Sequence, residues 1–163
     1  EVSVDTEFLL LNYAFYYFTK MQSISIPNTV SYIGQYAFYY CQNLSTITLP
    51  NKLTSLEPYL FHSCTKLMYL DIPKGVTTIK EWSIHDNYAL AWCNIPDTVT
   101  FIDWHVIHHC HNLTSITIPK GVNIIKNWSF SECKNLKEIL ILDNIYNVED
   151  YSFYSLVNIS KIY

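Results

Sequence analysis

Histidine side chains are the groups in this sequence best suited to bind a metal ion, because neutral imidazole is a ligand for Zn²⁺ and related metals. One set of three recurs at a constant interval along the chain, and another has the i, i+3, i+4 spacing that brings side chains together on a helical turn. The first set is His62, His85 and His108, and the second is His105, His108 and His109.

The same histidines also permit a simpler interpretation. Equivalent positions hold other polar or aromatic residues, namely Tyr16, Tyr39, Ser131 and Tyr154, and no carboxylate partner for a metal-binding imidazole is evident. We therefore expect no resident metal, and we interpret the cluster as a surface whose charge rises below neutral pH. A histidine-dependent metal site in the segment around Cys110 is the alternative hypothesis.

Cysteines recur with the same spacing. The interval is 23 residues, and it or its double separates four of the cysteines, namely Cys41, Cys64, Cys110 and Cys133; Cys93 is the odd member. If equivalent positions stack, neighbouring cysteines would come within disulfide range. One small apolar thiol in each repeat explains the placement equally well, and five cysteines do not suit a disulfide framework. We expect free, buried thiols.

Composition and motifs argue against several classes of function. The chain has ten lysines, no arginine and a formal net charge of −4, so it lacks the basic stripe that binds nucleic-acid phosphates. No run approaches the roughly 18 apolar residues of a membrane span. P-loop, dinucleotide-binding, G-x-S-x-G and H-E-x-x-H motifs are absent from the sequence. We predict that the protein is not an enzyme, needs no cofactor, binds no nucleic acid and has no membrane span in this segment.

A repeat that organises the whole chain sets the spacing of these residues. An apolar residue followed by proline returns every 23 residues, with the prolines at Pro27, Pro50, Pro73, Pro96 and Pro119. Seven units tile the sequence as 3–25, 26–48, 49–71, 72–94, 95–117, 118–140 and 141–163. We predict a single repeat domain over 3–163. Because the chain opens without Met and ends flush with a unit, we expect it to be an excerpt of a longer protein.

Each unit predicts the same local structures. Alternation in Tyr69-Leu70-Asp71-Ile72 indicates a short strand, and seven such strands would pair in parallel. The following proline cannot donate to a ladder, so it closes the strand, and a turn such as Lys74-Gly75 comes next. Inward residues three apart in the segment 37–41, Ala-Phe-Tyr-Tyr-Cys, indicate a single turn of helix.

Apolar residues fill four positions of nearly every unit, and each position becomes a column when the units stack. Leu44, Leu67 and Leu90 belong to one column. One unit cannot bury these residues alone, but a stack gives a continuous core. The predicted fold is a strand-dominated α/β solenoid of seven 23-residue coils, with a parallel β-sheet on one face and short helical turns on the other.

The pattern L-x-x-I-x-I-P joined to A-F-x-x-C resembles the BspA-type, or Treponema-type, leucine-rich repeat. Leu44-x-x-Ile47-x-Leu49-Pro50 carries the first motif and Phe38-x-x-Cys41 the second. Departures include the missing proline at Leu142 and the replacements Ile84, Asn87 and Cys93, which predict an irregular fourth coil. The resemblance implies a curved leucine-rich repeat solenoid of the kind often found in surface proteins of bacteria and parasitic protists. Some members bind host matrix proteins or other cells, and the resemblance implies no catalytic residues.

Outward strand positions are free to vary, so they form the candidate ligand-binding face. This face comprises Thr46, Tyr69, Asp71, Trp92, Asn94, Ser115 and Thr117. Tyr69 and Trp92 would be neighbours in a polar field, which is the composition of a binding hot spot. A partly covered surface tryptophan is the alternative. A separate aromatic column runs from Tyr13 to Tyr151, and we interpret it as structural rather than as a carbohydrate or peptide platform.

These observations predict a binding or adhesion module that recognises protein or glycan through its strand face. The resemblance implies a cell-surface or secreted location and makes host matrix or a cell surface the candidate partner. A structural spacer or stalk that presents another domain is the alternative function. Exposed strand edges on the end coils also predict end-to-end self-association.

Overall fold

A computed structural model describes residues 8–163, which form a stack of β-coils. Each coil contributes strands to two rows along the stack, here called the front and back ladders, and hydrogen bonding divides each row into three short sheets. The front ladder contains β2 (Ser23–Ser25), β4 (Thr46–Thr48), β6 (Tyr69–Asp71), β8 (Trp92–Asn94), β10 (Ser115–Ile118), β12 (Glu138–Ile141) and β14 (Lys161–Ile162). The back ladder contains β1 (Phe8–Leu10), β3 (Val30–Ile33), β5 (Ser55–Leu56), β7 (Thr78–Ile79), β9 (Phe101–Ile102), β11 (Ile124–Ile125) and β13 (Asn147–Val148). Residues 3–7 of the first predicted unit lie outside the described residues.

Strand register confirms the repeat length. Paired strands in residues 8–163 are parallel, and partners such as Tyr69 and Trp92 occupy equivalent positions of successive units. The same relation joins Ser115 to Glu138, while a register shift occurs next to Phe8 at the start of the described chain. The fourth coil keeps this register with the third coil on the front and with both neighbours on the back, but its front strand β8 is not hydrogen-bonded to β10 of the fifth coil. A similar break separates β4 from β6, so the interruption is not peculiar to the fourth coil.

Sequence analysis did not predict strands in the back ladder. Most of its strands are only two residues long, as in Ser55–Leu56, where the second residue is buried and the first is half-buried. Two residues are too few for alternation to stand out against other patterns. Strands of this length are stabilised by stacking between coils, which pairs Leu56 with Ile79 and Ile79 with Ile102.

The prediction of a helical turn at residues 37–41 is wrong, because residues 8–163 contain no helix and this segment forms successive turns. Its N–H groups alternate between two kinds of partner. Tyr39 and Cys41 donate to carbonyls three residues back, whereas Phe38 and Tyr40 donate to Leu60 and His62 of the next coil at 3.0 and 2.9 Å. Since every second N–H pairs between coils, an i to i−4 ladder cannot form. Nothing helical in residues 8–163 could therefore cross a bilayer.

Apolar columns form the core, as predicted. Leu44, Leu67 and Leu90 are fully buried, and so are the largest side chains beside them, including Phe38 and Phe61. Val148 and Ile162 belong to two of the other apolar columns, which were expected to point inward, but they are 53% and 54% exposed. Both lie in the last of the described coils, which within residues 8–163 packs on the preceding coil.

Thiols link successive coils from inside the core. Cys41, Cys64, Cys93, Cys110 and Cys133 are free and buried, which confirms the prediction. The Cys64 thiol donates to the Phe38 carbonyl at 3.1 Å. In the fourth coil Asn87 replaces the cysteine, and its amide nitrogen donates to the Phe61 carbonyl at 3.1 Å. The substitution therefore preserves a donor to the preceding coil.

Candidate functional site

The front ladder presents the predicted ligand-binding face. Its members occupy outward positions on four successive strands, β4 to β10. All are exposed, namely Thr46, Tyr69, Asp71, Trp92, Asn94, Ser115 and Thr117. The inward residues between them pack into the core, as Leu70 does at 0% exposure. The structure brings the seven side chains onto one surface, and their role in binding stays a prediction.

Tyr69 and Trp92 are the largest side chains of this face. They are paired in register on β6 and β8 and are 56% and 47% exposed. Within residues 8–163, neither ring stacks on another aromatic ring. Met68, which is 41% exposed, precedes Tyr69 and adds apolar surface that sequence analysis missed. It precedes the alternating stretch that marks the strand, so no periodic signal distinguished it.

Asp71 and Asn94 lie beside the two rings and hold each other in place. The Asn94 side-chain nitrogen donates to Asp71 Oδ1 at 2.8 Å. Two shallow clefts of about 370 and 320 Å³ adjoin them, and Lys74 and Asn94 line both. The clefts lie between the turns of successive coils, so the face continues from the strands onto the turns. Sequence analysis did not include Lys74 in the face.

The other aromatic column forms an unbroken stack. Ring centroids of Tyr36 and Tyr59 are 4.6 Å apart with planes within 7°, and those of Trp82 and His105 are 4.2 Å apart. These residues adopt left-handed backbone angles, with φ of 58° at Tyr36 and 55° at His105, a conformation that costs about 1–2 kcal/mol for an L-residue. Ring stacking between coils offsets this cost, which favours the structural interpretation.

Histidines meet where the fourth and fifth coils stack. His85 and His108 are 5% and 7% exposed, and His105 is half-buried. His85 Nε2 lies 3.0 Å from His108 Nδ1, and His105 Nδ1 lies 3.0 Å from the same atom of His108. His62 stacks on His85 with the ring centroids 4.7 Å apart. The cluster is therefore mostly interior, in contrast to the surface that the sequence predicted.

Burial changes how the cluster titrates. It lowers the pKa of His108 to about 3, and repulsion from His109, His85 and His105 acts in the same direction. It also lowers the pKa values of His62 and His105 to about 4. The predicted gain of charge just below neutral pH is therefore wrong for these three rings, because their charged forms would lose hydration.

Asp86 is the residue of this cluster that sequence analysis missed. Its Oδ1 lies 2.9 Å from His109 Nδ1, and its Oδ2 lies 3.3 Å from His85 Nδ1. Burial alone would raise the pKa of Asp86, but the hydrogen bonds and charges of His85 and His109 outweigh it and hold the pKa well below its usual range. The signal was present, since Asp86 and His109 occupy equivalent positions of successive units.

Comparison with known families gives one match over most of the chain. Six copies of the BspA type leucine rich repeat region match it, over residues 10–122 and 105–163. The chain belongs to this family. Curated protein sequences provide no match.

Several solved leucine-rich repeat proteins are similar to this chain in fold. A leucine-rich repeat protein of T. pallidum is 26% identical with a TM-score of 0.86, over 94% of this chain and 72% of that one. One from Bacteroides ovatus is 24% identical with a TM-score of 0.76, over 86% of this chain and 37% of that one. One from Eubacterium ventriosum is 22% identical with a TM-score of 0.63, over 86% and 41%. The chain spans less than half of the last two, which are similar to it in fold.

Proposed function

We propose that this BspA-type repeat is a non-enzymatic binding or adhesion module that recognises a protein or glycan through its front ladder. The observation that carries the proposal is the exposed pair Tyr69 and Trp92. In the aromatic column from Tyr13 to Tyr151 the rings stack on one another, whereas this pair stacks on no other ring in residues 8–163. Exposed Tyr and Trp side chains supply much of the energy of binding when a partner removes them from water.

The surroundings of the pair also support recognition. The rings project from paired strands, so little backbone freedom would be lost when a ligand binds. Asp71 and Asn94 offer carboxylate and amide groups in an arrangement that their mutual hydrogen bond holds. Such groups suit the hydroxyls of a glycan or the backbone amides of a protein. The clefts beside Lys74 would receive parts of the ligand that extend past the strands.

A binding screen followed by substitution tests the proposal. Purified chain is first screened against immobilised extracellular-matrix proteins and a glycan array. Tyr69→Ala combined with Trp92→Ala should then weaken binding by at least about 30-fold, the equivalent of one hot spot of about 2 kcal/mol, while the far-ultraviolet circular dichroism spectrum stays unchanged. Unchanged affinity in this double variant would reject the front ladder as the binding face.

A matched control comes from the opposite side of the coils. Phe101, on strand β9, and Tyr146, just before β13, are 41% and 78% exposed. Phe101→Ala combined with Tyr146→Ala removes two exposed rings without touching the front ladder. We expect this control to bind as the unsubstituted chain does. A loss of binding similar to that of the front-ladder variant would mean that exposed aromatic area in general carries the interaction.

We further propose a cell-surface or secreted location, with host matrix or another cell as partner. The resemblance to surface proteins supports this location. Detection of the protein on intact cells by an antibody against the front ladder tests it, with lysed cells as the comparison. Staining that appears only after lysis would contradict a surface location.

A spacer or stalk that presents another domain is the second candidate, and the end coils favour it. Leu9 and Leu11 at one end, and Val157 at the other, are 59%, 65% and 71% exposed, so the end surfaces suit stacking of further coils or end-to-end self-association. Sedimentation velocity should show association that rises with concentration and weakens in Leu11→Lys. A monomer at all concentrations would contradict self-association. Ligand binding that survives the front-ladder substitutions and maps to an adjoining domain would support the spacer.

A further inference from the structure

The geometry points to a site for a divalent transition metal at the junction of the fourth and fifth coils, with His85, His105 and His108 as ligands and Asp86 as the residue that orients His85. Zn²⁺ is the metal that we propose for it. This inference is independent of the proposed binding through the front ladder, because the histidines lie in a different part of each coil.

The distances between the ring nitrogens fit a shared ion. His108 Nδ1 lies 3.0 Å from both His85 Nε2 and His105 Nδ1, and one ligand atom from each residue lies within 4.8 Å of the others. Two nitrogens that each bind zinc at about 2.0–2.1 Å in tetrahedral geometry are about 3.3 Å apart. Small side-chain rotations would therefore bring the three nitrogens to one ion.

Hydrogen bonding among the rings alone does not explain this arrangement. A neutral imidazole nitrogen carries either one proton or one in-plane lone pair. His108 Nδ1 faces two other ring nitrogens at hydrogen-bond distance, so it cannot form good hydrogen bonds to both. A cation between the three nitrogens would accept a lone pair from each.

Asp86 supplies the carboxylate partner that sequence analysis did not identify. Its Oδ2 lies 3.3 Å from His85 Nδ1, the ring nitrogen that does not face His108, although the two atoms form no hydrogen bond in this arrangement. A small rotation of the His85 ring would bring Nδ1–H to the carboxylate. A metal-binding histidine usually directs its second nitrogen to a carboxylate, which fixes the tautomer and the ring orientation. Asp86 is in turn held by His109 at 2.9 Å.

The histidine cluster differs from the charged contacts between other successive coils. In the ion pairs of Lys80 with Glu57 at 2.8 Å and Lys126 with Glu149 at 2.9 Å, groups at equivalent positions of successive coils have opposite charges. His85 and His108 occupy equivalent positions too, but they place two imidazoles side by side. Access is available through His105, which lines an open cleft of about 340 Å³ beside Trp104 and Trp128.

The repeat itself supplies matched substitutions. Tyr13, Tyr36, Tyr59 and Tyr151 occupy the position equivalent to His105, so His105→Tyr keeps a ring in the stack and removes the nitrogen. Ser131 occupies the position of His108, so His108→Ser uses a residue that this fold already accepts there. Tyr39 is equivalent to His62, and His62→Tyr is the control that removes a nearby histidine outside the proposed ligand set.

Calorimetric titration of the tag-free, metal-stripped chain with ZnCl₂ tests the site. We expect one zinc ion per chain, a rise in Tm of about 5 °C or more when zinc exceeds Kd about 100-fold, and no binding of Ca²⁺ or Mg²⁺. His105→Tyr and His108→Ser should each weaken zinc binding at least tenfold, and His62→Tyr should leave it unchanged. Asp86→Asn should weaken it by about 10- to 100-fold and, because the carboxylate also contacts His109, should lower the Tm of the zinc-free protein as well.

Three results would overturn the inference. The first is the absence of both heat and a Tm shift on addition of zinc to the unsubstituted chain. The second is zinc binding that survives both His105→Tyr and His108→Ser, since the ion would then lie elsewhere. The third is loss of binding in His62→Tyr with retention in His105→Tyr, which would place the ion among His62, His85 and Asp86, the other group of potential ligands. Zinc-free melting curves identify any variant that fails to fold, and the two ligand variants are independent of each other.

Discussion

Removing one ring from the centre of the solenoid provides a direct test of how its coils are held together. Phe61 is fully buried, and its ring stacks on that of Phe38 with the centroids 5.6 Å apart and the planes within 17°. Transfer of such a side chain from water contributes about 1.5–3 kcal/mol, and an aromatic pair adds about 0.5–1.5 kcal/mol. With the cavity that remains, Phe61→Ala should lower the free energy of unfolding by about 3–5 kcal/mol.

Two further variants provide reference values for this loss of stability. Ile84 and Ile107 occupy the equivalent position in the next two coils, so Phe61→Ile should cause about half of that loss or less. Phe18 is 54% exposed, and Phe18→Ala should cost less than about 1 kcal/mol.

Urea unfolding, followed by circular dichroism and by tryptophan fluorescence, measures the differences. Two probes are needed because stacked repeats need not unfold in one step. If Phe61→Ala were no more destabilising than Phe18→Ala, a continuous core of stacked columns would be refuted.

Two other predictions concern titration and thiol chemistry. Unfolding free energy should fall between pH 6.5 and pH 4 in zinc-free buffer, by about 1.4 kcal/mol per pH unit for each proton that folding excludes. The sign follows because the fold lowers the pKa of His108, which faces His85, His105, His109 and the Asp86 carboxylate, to about 3. The unfolded chain therefore binds more protons than the folded chain in this pH range. Melting curves at several pH values measure the effect, and stability that rises on acidification would contradict it. Thiol reagents at pH 8 should modify the native protein slowly and the urea-unfolded protein fully, because burial raises the pKa of Cys93 to about 12. Rapid labelling of the native chain would count against buried thiols.

Much of the fold could be predicted because the repeat period acts on every element at once. A strand in one unit that pairs with its equivalent in the next fixes the register, and the apolar columns then follow. The prediction of a helical turn at residues 37–41 was wrong for a related reason. Its spacing of inward residues is helical, but the N–H groups of Phe38 and Tyr40 pair with the next coil, and spacing within one unit cannot reveal a hydrogen bond to its neighbour.

The candidate face could be predicted only as far as the register determines it. Positions 69 and 92 had to meet, because paired parallel strands place equivalent residues side by side. The clefts beside Lys74 could not be foreseen, since they depend on how the turns of adjacent coils are spaced.

The histidine cluster shows what column logic captures and what it omits. Stacking predicts contacts between equivalent residues of successive coils, and it correctly brings His62, His85 and His108 together. It says nothing about contacts within a coil. There the i, i+3 spacing of His105 and His108 predicted that the two rings would meet, but which nitrogens face each other depends on the side-chain rotamers. Asp86 needed both kinds of contact, one to His109 across coils and one to its neighbour His85. A chemical site in a solenoid thus forms where a contact within a coil intersects a column. For that reason a carboxylate next to a recurring histidine is a stronger indication of such a site than the histidine column alone.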